Sequence, residues 1–377
     1  MKKLVIFSLK GPSLETAIGG AEVYIHEFAK SLEKIGYDVH ILSGMDKGEH
    51  FPNHEKLSDH IEVTRVKVPL KFLPFAVFTM HAYYLKHLKK DQPLVIESQQ
   101  VFPYLTSIYK NQIGTIIYHL TGGDFIRKQG IIMGSIGFIL EKLALPIFYK
   151  SKNIITISDH TKNAIIANGL KEDKITIIPP IVETNSDYSL NTQKRENIVS
   201  YVGRFTGVNG NKKIDHVVQA FPEVLKNVPD AKLIIGGYIR NKSELIEIIH
   251  NSGVEDAVEF IGIVSDNDKE KLLRKSKVFA SPSYQEGFGI TYIEANSYGT
   301  PVVAYEIPGL DTVPDTAGYM VEKDDIKALS ASMIELLTDD EAWQKMSDGA
   351  VANAKRFSKS AIEDRIKVYM NEVNQDA

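Results

Sequence analysis

The feature that most constrains this chain is an alternation, kept up for most of 377 residues, of short β-branched runs with longer stretches of helical periodicity. A strand rejoins a parallel neighbour only through a crossover long enough to hold a helix, so this alternation predicts parallel α/β units. In the first half the strand candidates are residues 4–8, 39–43, 61–68, 94–97, 115–120 and 154–158. Between the first two, residues 20–35 place Val23, Phe28, Ala29 and Leu32 on one helical stripe. Residues 175–178 then run into Pro179-Pro180, and the polar stretch 183–197 reads as an interdomain linker. A second series follows, with strands at 198–202, 232–235, 258–261, 278–281 and 301–304. Helices fit between them at 214–227, 243–251, 268–276 and 290–297. Pro222 should kink or shorten the first of these. The expectation is an α/β chain of two Rossmann-like domains, 1–182 and 183–357, facing each other across a cleft lined by the carboxyl ends of both sheets, where ligands of such sheets bind.

Composition excludes several classes of function. The chain has no cysteine, which removes disulfides, thiolate nucleophiles and cysteine-ligated metals and is compatible with a cytoplasmic setting. Forty-four Lys and Arg against 48 Asp and Glu leave a net charge of −4, so bulk charge offers no case for nucleic acid as a partner. The apolar run at residues 4–9 is short and lacks a small-residue cleavage site, so it reads as a first strand and not a signal peptide. The longest uncharged stretches, 73–85 and 129–140, fall short of the roughly 20 residues that span a bilayer.

The densest chemical signal joins a strand to a helix at Ser281-Pro-Ser-Tyr-Gln-Glu-Gly-Phe-Gly-Ile-Thr-Tyr-Ile-Glu294. Gly287 and Gly289 permit close backbone approach, and the amides of a helix N-terminus favour an anionic group such as phosphate. Glu294, about one turn into the helix, has the reach to accept hydrogen bonds from vicinal hydroxyls such as those of a ribose, and Glu286 from a sugar. The plainer alternative is a turn with glycines for geometry and solvated glutamates. Upstream, Gly203-Arg204 follows the first strand of the second series, and Lys212 and Lys213 follow a short glycine-containing loop. A guanidinium fork and an ammonium at one sheet edge suit a diphosphate leaving group.

Together Val202-Gly203-Arg204, the downstream lysine, Pro282-Ser283, and Glu286-Gly287-Phe288-Gly289 with Glu294-Ala295 resemble the retaining glycosyltransferases of family four, in the GT-B fold class. The resemblance covers nearly the whole chain. It implies that Glu294 binds the donor ribose and that Glu286 with the backbone of Gly287, Phe288 and Gly289 holds the transferred sugar. Arg204 and Lys212 would neutralise the departing diphosphate. Lys212 matches better than Lys213 when counted back from Ile214-Asp215, although the loop after Arg204 is about three residues longer than is usual. Residues 262–264, ending at Val264, resemble the strand end whose backbone meets the nucleobase. The last segment, 358–377, would be a helix that crosses back onto the first domain.

In the first half, Gly19-Gly20 opens the first long helix and either acts as a hinge or, as the resemblance implies, offers amides to the donor. His119 ends a strand, where a histidine ordinarily serves a loop hydrogen bond; the resemblance places it beside the transferred sugar. Asp124 either orients an acceptor hydroxyl or caps a turn. Ser158 and Thr161 look like a helix cap. Residues 70–90 and 125–152 mix aromatic side chains with Lys71, Lys86, Lys89, Lys90, Arg127, Lys128, Lys142, Lys150 and Lys152. Core packing with solvated lysine rims is the favoured account, and contact with the inner face of an anionic membrane the alternative.

The implied activity is retaining transfer of a hexose-type sugar from a nucleoside-diphosphate sugar, with uridine or guanosine as the base, to a hydroxyl acceptor in glycan biosynthesis. That acceptor would be a glycan, a small molecule or a lipid-linked sugar. No metal or other cofactor is expected: Asp266-Asn267-Asp268 has the D-x-D pattern of metal-dependent transferases, but helix capping explains it more simply. A retaining glycoside hydrolase wants two carboxyl groups about 5–5.5 Å apart, whereas eight helical positions separate backbones by roughly 12 Å. A nicotinamide dehydrogenase wants G-x-G-x-x-G after the first strand, which residues 9–20 lack. A GT-B phosphorylase and a non-catalytic sugar-nucleotide binding subunit remain the rival readings.

Overall fold

A computed structural model of the protein describes residues 1–13, 20–46, 50–68, 73–99, 103–120, 135, 138–139, 141–143, 145–182, 195–307 and 309–375. The chain divides into two compact units. The first comprises Met1–Ile181 with Ile362–Ala377, the second Val182–Ala361.

The first unit is built on β1 (Lys2–Ser8), α1 (Gly20–Lys34), β2 (Tyr37–Met45), β3 (His54–Ser58), β4 (Ile61–Lys67), α2 (Leu73–Tyr83), β5 (Leu94–Gln99), β6 (Gln112–Ile117), β7 (Ile154–Thr156), α3 (Asp159–Ala167) and β8 (Ile175–Ile177). Its eight-stranded sheet runs β3-β4-β2-β1-β5-β6-β7-β8. All neighbours are parallel except β3 and β4. The central strands are apolar on both faces, as a sheet covered on both sides requires: Leu4, Ile6 and Phe7 of β1 are fully buried. Helix α1 buries Tyr24, Ile25, Phe28, Ala29 and Leu32. Val23, expected on that stripe, is 41% exposed; the core-facing arc is centred on Ile25, and Val23 lies outside it. Ser158 caps α3, its hydroxyl accepting from the Thr161 N–H at 3.3 Å.

Glu97, near the carboxyl end of β5, is completely buried. Its oxygens accept from the Tyr104 N–H at 2.8 Å, the Thr106 N–H at 3.1 Å, the Thr106 hydroxyl at 2.7 Å and the Tyr149 hydroxyl at 2.8 Å. Burial raises its pKa, and these donors pull the other way.

The second unit contains β9 (Glu196–Phe205), α4 (Ile214–Asn227), β10 (Lys232–Ile239), α5 (Lys242–Ser252), β11 (Val258–Gly262), α6 (Asp266–Lys275), β12 (Ser276–Ala280), α7 (Ile290–Ser297), β13 (Val302–Tyr305), β14 (Gly318–Val321), α8 (Ile326–Thr338) and α9 (Asp340–Lys355). The sheet is parallel throughout, in the order β11-β10-β9-β12-β13-β14. Central β9 is longer than its apolar run, because it pairs with β10 as far as Phe205 opposite Ile239. Arg204, expected just past the strand, therefore lies in it. Helix α4 continues through Pro222 instead of stopping there. An interior proline costs about 3 kcal/mol. The helix buries Ile214, Val217, Val218, Phe221 and Val224, each worth roughly 1.5–3 kcal/mol, so packing prevails.

The last helix, α10 (Lys359–Gln375), belongs from Ile362 onward to the first unit. Its Tyr369 hydroxyl donates to the Ile113 carbonyl at 3.1 Å, and Lys34 pairs with Glu363 at 2.7 Å. Tyr369 fills the space over Gly114, where a Cβ would stand 2.1 Å from the phenol oxygen.

Candidate active site

The carboxyl ends of β9 and β12 are neighbours in the second sheet, so the loops that follow them share one edge. The loop after β9 and the loop after β12 are laced together. Lys212 and Ser283 form an isolated antiparallel bridge, and the Tyr284 N–H donates to the Asn211 carbonyl at 2.8 Å. This lacing sets the Lys212 ammonium directly on the Glu286 carboxylate. Both are mostly buried, with side chains 29% and 11% exposed. The neighbouring Lys213 is occupied elsewhere: it is buried, donates to the Val208 carbonyl at 2.6 Å and pairs with buried Asp215 at 2.9 Å. Of the two lysines open from sequence, Lys212 is the one that faces the Glu286 loop.

Two tyrosines that sequence reasoning missed lie close to Glu286. The Tyr292 hydroxyl is 3.3 Å from its carboxylate and also donates to the Ser281 carbonyl at 2.7 Å. Burial and then the Glu286 charge push the pKa of Tyr292 well up. Tyr201 is pushed up by burial, with Glu286 and Asp215 adding to it. Its buried hydroxyl has no hydrogen-bond partner among the described residues. Apolar patterning of the strand at Tyr201 and of the helix at Tyr292 hides such residues, since a tyrosine in a buried run reads as core.

Gly289 caps α7 at φ +79°, and a Cβ there would meet the Tyr292 ring at 2.4 Å. Only glycine fits. A Cβ on Gly287 would instead meet nothing within 4 Å, so its bare backbone leaves open room beside Glu286. Phe288 anchors the loop: its ring is buried edge-on to Phe357, centroids 5.4 Å apart, and its carbonyl accepts from Thr312 at 2.9 Å. The expectation that Phe288 contacts the donor is thus restricted to its N–H.

Glu294, on α7, is paired with Lys269 of α6 at 2.7 Å, and Lys269 also holds Asp266 at 3.0 Å. Burial raises the Glu294 pKa, with Lys269 opposing. For Lys269 burial disfavours the charge, but its two carboxylates outweigh that and leave its pKa raised. Lys269 carried no sequence signal, because the pairing joins two helices. The D-x-D aspartates fall inside the first turn of α6, whose cap is Ser265; its hydroxyl accepts from the Asp268 N–H at 3.2 Å and donates to the Asp268 carboxylate at 2.7 Å. Among the described residues no group of three or more acidic or histidine side chains could hold a metal ion. Gly262, the last residue of β11, is exposed; beyond it Ile263 is 81% exposed and Val264 is half-buried.

Arg204 is exposed at the same carboxyl edge, where it lines a cavity with Thr206, Tyr238 and Arg240. It has no hydrogen bond or ion pair among the described residues, in contrast to Lys212.

In the first unit, β6 ends at Ile117, so His119 stands two residues beyond it and is exposed. Tyr118 fixes the segment: its hydroxyl meets Ser98 at 2.9 Å, its ring lies edge-on to Tyr24 at 5.4 Å, and its carbonyl accepts from Thr161 at 3.2 Å. Gly20 is the exposed first residue of α1. Gly19 and Asp124 lie outside the described residues, as do Lys71, Arg127 and Lys128. The aromatic, lysine-rich segments only partly follow the core-packing expectation. Met80, Tyr84, Leu145 and Tyr149 are buried, but Phe75, Phe78, Ile147 and Phe148 are 42–69% exposed. No helix among the described residues is long and apolar enough to cross a membrane.

Two family models divide the chain between them, Glycosyltransferase Family 4 over residues 18–186 and Glycosyl transferases group 1 over residues 182–355. The chain belongs to glycosyltransferase family four. Among relatives of this family-four enzyme, an uncharacterized glycosyltransferase of Methanocaldococcus jannaschii is 27% identical over 326 residues, 78% of each chain. A capsular polysaccharide biosynthesis glycosyltransferase of Staphylococcus aureus is 25% identical, covering 90% of this chain and 91% of that one. Among solved structures, sucrose-phosphate synthase of Thermosynechococcus elongatus matches over the full length of both chains at a TM-score of 0.76 and 20% identity. Anabaena HepE in complex with UDP and glucose matches 99% of this chain and 100% of that one at 0.71 and 17%. The fold is GT-B.

Proposed function

We propose that this glycosyltransferase transfers a hexose-type sugar from a nucleoside-diphosphate sugar to a hydroxyl acceptor, with retention of configuration and without a metal. The observation that carries the reading is the Lys212–Glu286 pair, held beside the open space over Gly287 by the laced loops after β9 and β12. A cation already balanced by a carboxylate can shift toward diphosphate as charge grows there, which stabilises departure without an ion. Arg204, unpaired at the same edge, supplies a second positive group. Glu294, paired with Lys269, is suited to accept from ribose hydroxyls, and the strand end at residues 262–264 offers backbone and the Ile263 side chain to a base. His119 and the α1 terminus at Gly20 are the first unit's candidates for substrate contact.

In the reaction the acceptor oxygen attacks the anomeric carbon on the face from which the diphosphate departs, and the acceptor proton passes to the leaving phosphate oxygen. HepE was crystallised with UDP-glucose, which supports a uridine nucleotide as the first donor to try. The exposed Phe75, Phe78, Ile147 and Phe148, on segments that also carry exposed Lys86, Lys142 and Lys150, support peripheral contact with an anionic lipid surface and hence a lipid-linked acceptor. Sedimentation with phosphatidylglycerol but not phosphatidylcholine vesicles is expected; equal recovery with both removes the contact.

The test of the main reading is a panel of nucleotide sugars incubated with the protein, with mass detection of released nucleoside diphosphate and NMR assignment of the product's anomeric configuration. Inversion at the anomeric carbon sinks the retaining mechanism. Donor cleavage that requires inorganic phosphate and no nucleotide identifies a phosphorylase instead.

A further inference from the structure

Arg204 shares its cavity with a second guanidinium that no motif singled out. The strand register sets Tyr238 directly opposite Arg204, and the ladder continues one step further where the Arg240 N–H donates to the Phe205 carbonyl at 2.9 Å. Arg204 lies in β9 and Tyr238 in β10, Thr206 and Arg240 are the residues just past the ends of those strands, and the four stand on one patch. All four are exposed, Tyr238 at 53%, and together they line a cavity of about 440 Å³ at the carboxyl edge of β9 and β10. The two strands approach closely just before it: a Cβ on Gly237 would lie 1.9 Å from the Gly203 carbonyl oxygen, so that no other residue brings the edges so near.

The charge pattern at this edge differs from that of the lysines around Glu286 and Glu294. Lys212, Lys213 and Lys269 each face a carboxylate. Neither Arg204 nor Arg240 has an ion pair among the described residues, and no acidic residue lines their cavity. The closest acid by chain neighbourhood, Glu244, accepts the Val208 N–H at 3.2 Å. Two like charges held side by side without a counterion repel, which a bound dianion would relieve, and guanidinium forks match phosphoryl oxygens two at a time.

We propose that Arg204 and Arg240 form a phosphoryl-binding notch, with Arg240 as a second anion ligand and Tyr238 as its flat wall. The identity of the phosphoryl group rests on the nucleotide-sugar reading above, as either the donor's diphosphate or a phosphate ester on the acceptor. The anion site itself does not rest on it.

Calorimetric titration of the full chain with inorganic pyrophosphate reads the notch directly. Arg240→Ala should weaken pyrophosphate binding at least tenfold, and Arg240→Lys should weaken it less, since an ammonium keeps the charge but loses the fork. Equal pyrophosphate affinity in wild type and Arg240→Ala, or none in wild type, overturns the proposal. Titrations with UDP and GDP, then with glucose 6-phosphate at saturating nucleotide, separate the two sources. Loss of nucleotide affinity in Arg240→Ala assigns the notch to the donor, and loss of sugar-phosphate affinity alone assigns it to the acceptor. A wild type that binds pyrophosphate through Arg240 yet binds no nucleoside diphosphate keeps the notch and sinks the donor reading instead.

Discussion

Glu97 in the first unit and Glu286 with Glu294 in the second show two ways to handle a carboxylate within the end of a parallel strand or on the loop or element that follows it. Glu97 is sealed from water and satisfied by backbone amides and hydroxyls that have nowhere else to go. Glu286 is held by Lys212 and the Tyr292 hydroxyl beside the open backbone of Gly287, and Glu294 by Lys269. Neutral donors fixed in the chain make a carboxylate part of the scaffold. A flexible ammonium leaves it able to trade partners. The contrast separates a structural acid from acids available for chemistry.

The largest test breaks the scaffold side. Glu97→Ala strands donors that each cost about 1–3 kcal/mol when unsatisfied, so the first unit should lose roughly 3–5 kcal/mol of stability with allowance for relaxation. A denaturation midpoint like that of wild type would show Glu97 to be dispensable. The same residue gives a pH test. Burial raises its folded pKa, so the folded chain keeps a proton that the unfolded chain releases above about 4.3. That stabilisation is complete below the unfolded value and is lost as pH rises through the folded one. The wild-type midpoint should therefore fall relative to Glu97→Gln over this window; parallel curves would refute the raised value.

On the chemical side, Lys212→Ala should lower turnover about a hundredfold. Normal turnover would retire the Lys212–Glu286 pair. Glu294→Ala should weaken nucleoside-diphosphate binding by about 1.5–3 kcal/mol, read by calorimetry; unchanged affinity removes Glu294 from the ribose. Chelation with EDTA should have the smallest effect, leaving activity intact, and a loss restored by Mn²⁺ would return Asp266 and Asp268 to consideration.

Sequence alone showed the α/β pattern and the GT-B resemblance because buried parallel strands are written as unbroken apolar runs and the E-x7-E loop is contiguous. It was blind where structure joins distant or polar elements. Strand β3, His-Glu-Lys-Leu-Ser, carries no apolar run and exists because it pairs antiparallel with β4. Lys212 and Glu286 are 74 positions apart; counting back from Ile214-Asp215 already favours Lys212 over Lys213, but its contact with Glu286 comes from the bridge between their loops. The Lys269–Glu294 pair joins two helices, and Arg240 becomes visible only through the β9–β10 register. The helix at 214–227 keeps its full length through Pro222, because its buried face outweighs the local rule that would shorten it.

The return of α10 has a consequence for synthesis. The first unit is completed by residues made only after the second unit, since Tyr369 closes over Gly114 and Glu363 reaches Lys34. A nascent chain must carry an unfinished N-terminal half, with the groove at Gly114 uncovered, until the whole second unit has been made. A fragment ending at residue 181 should accordingly associate with chaperones or aggregate, and adding residues 359–377 in trans should rescue it.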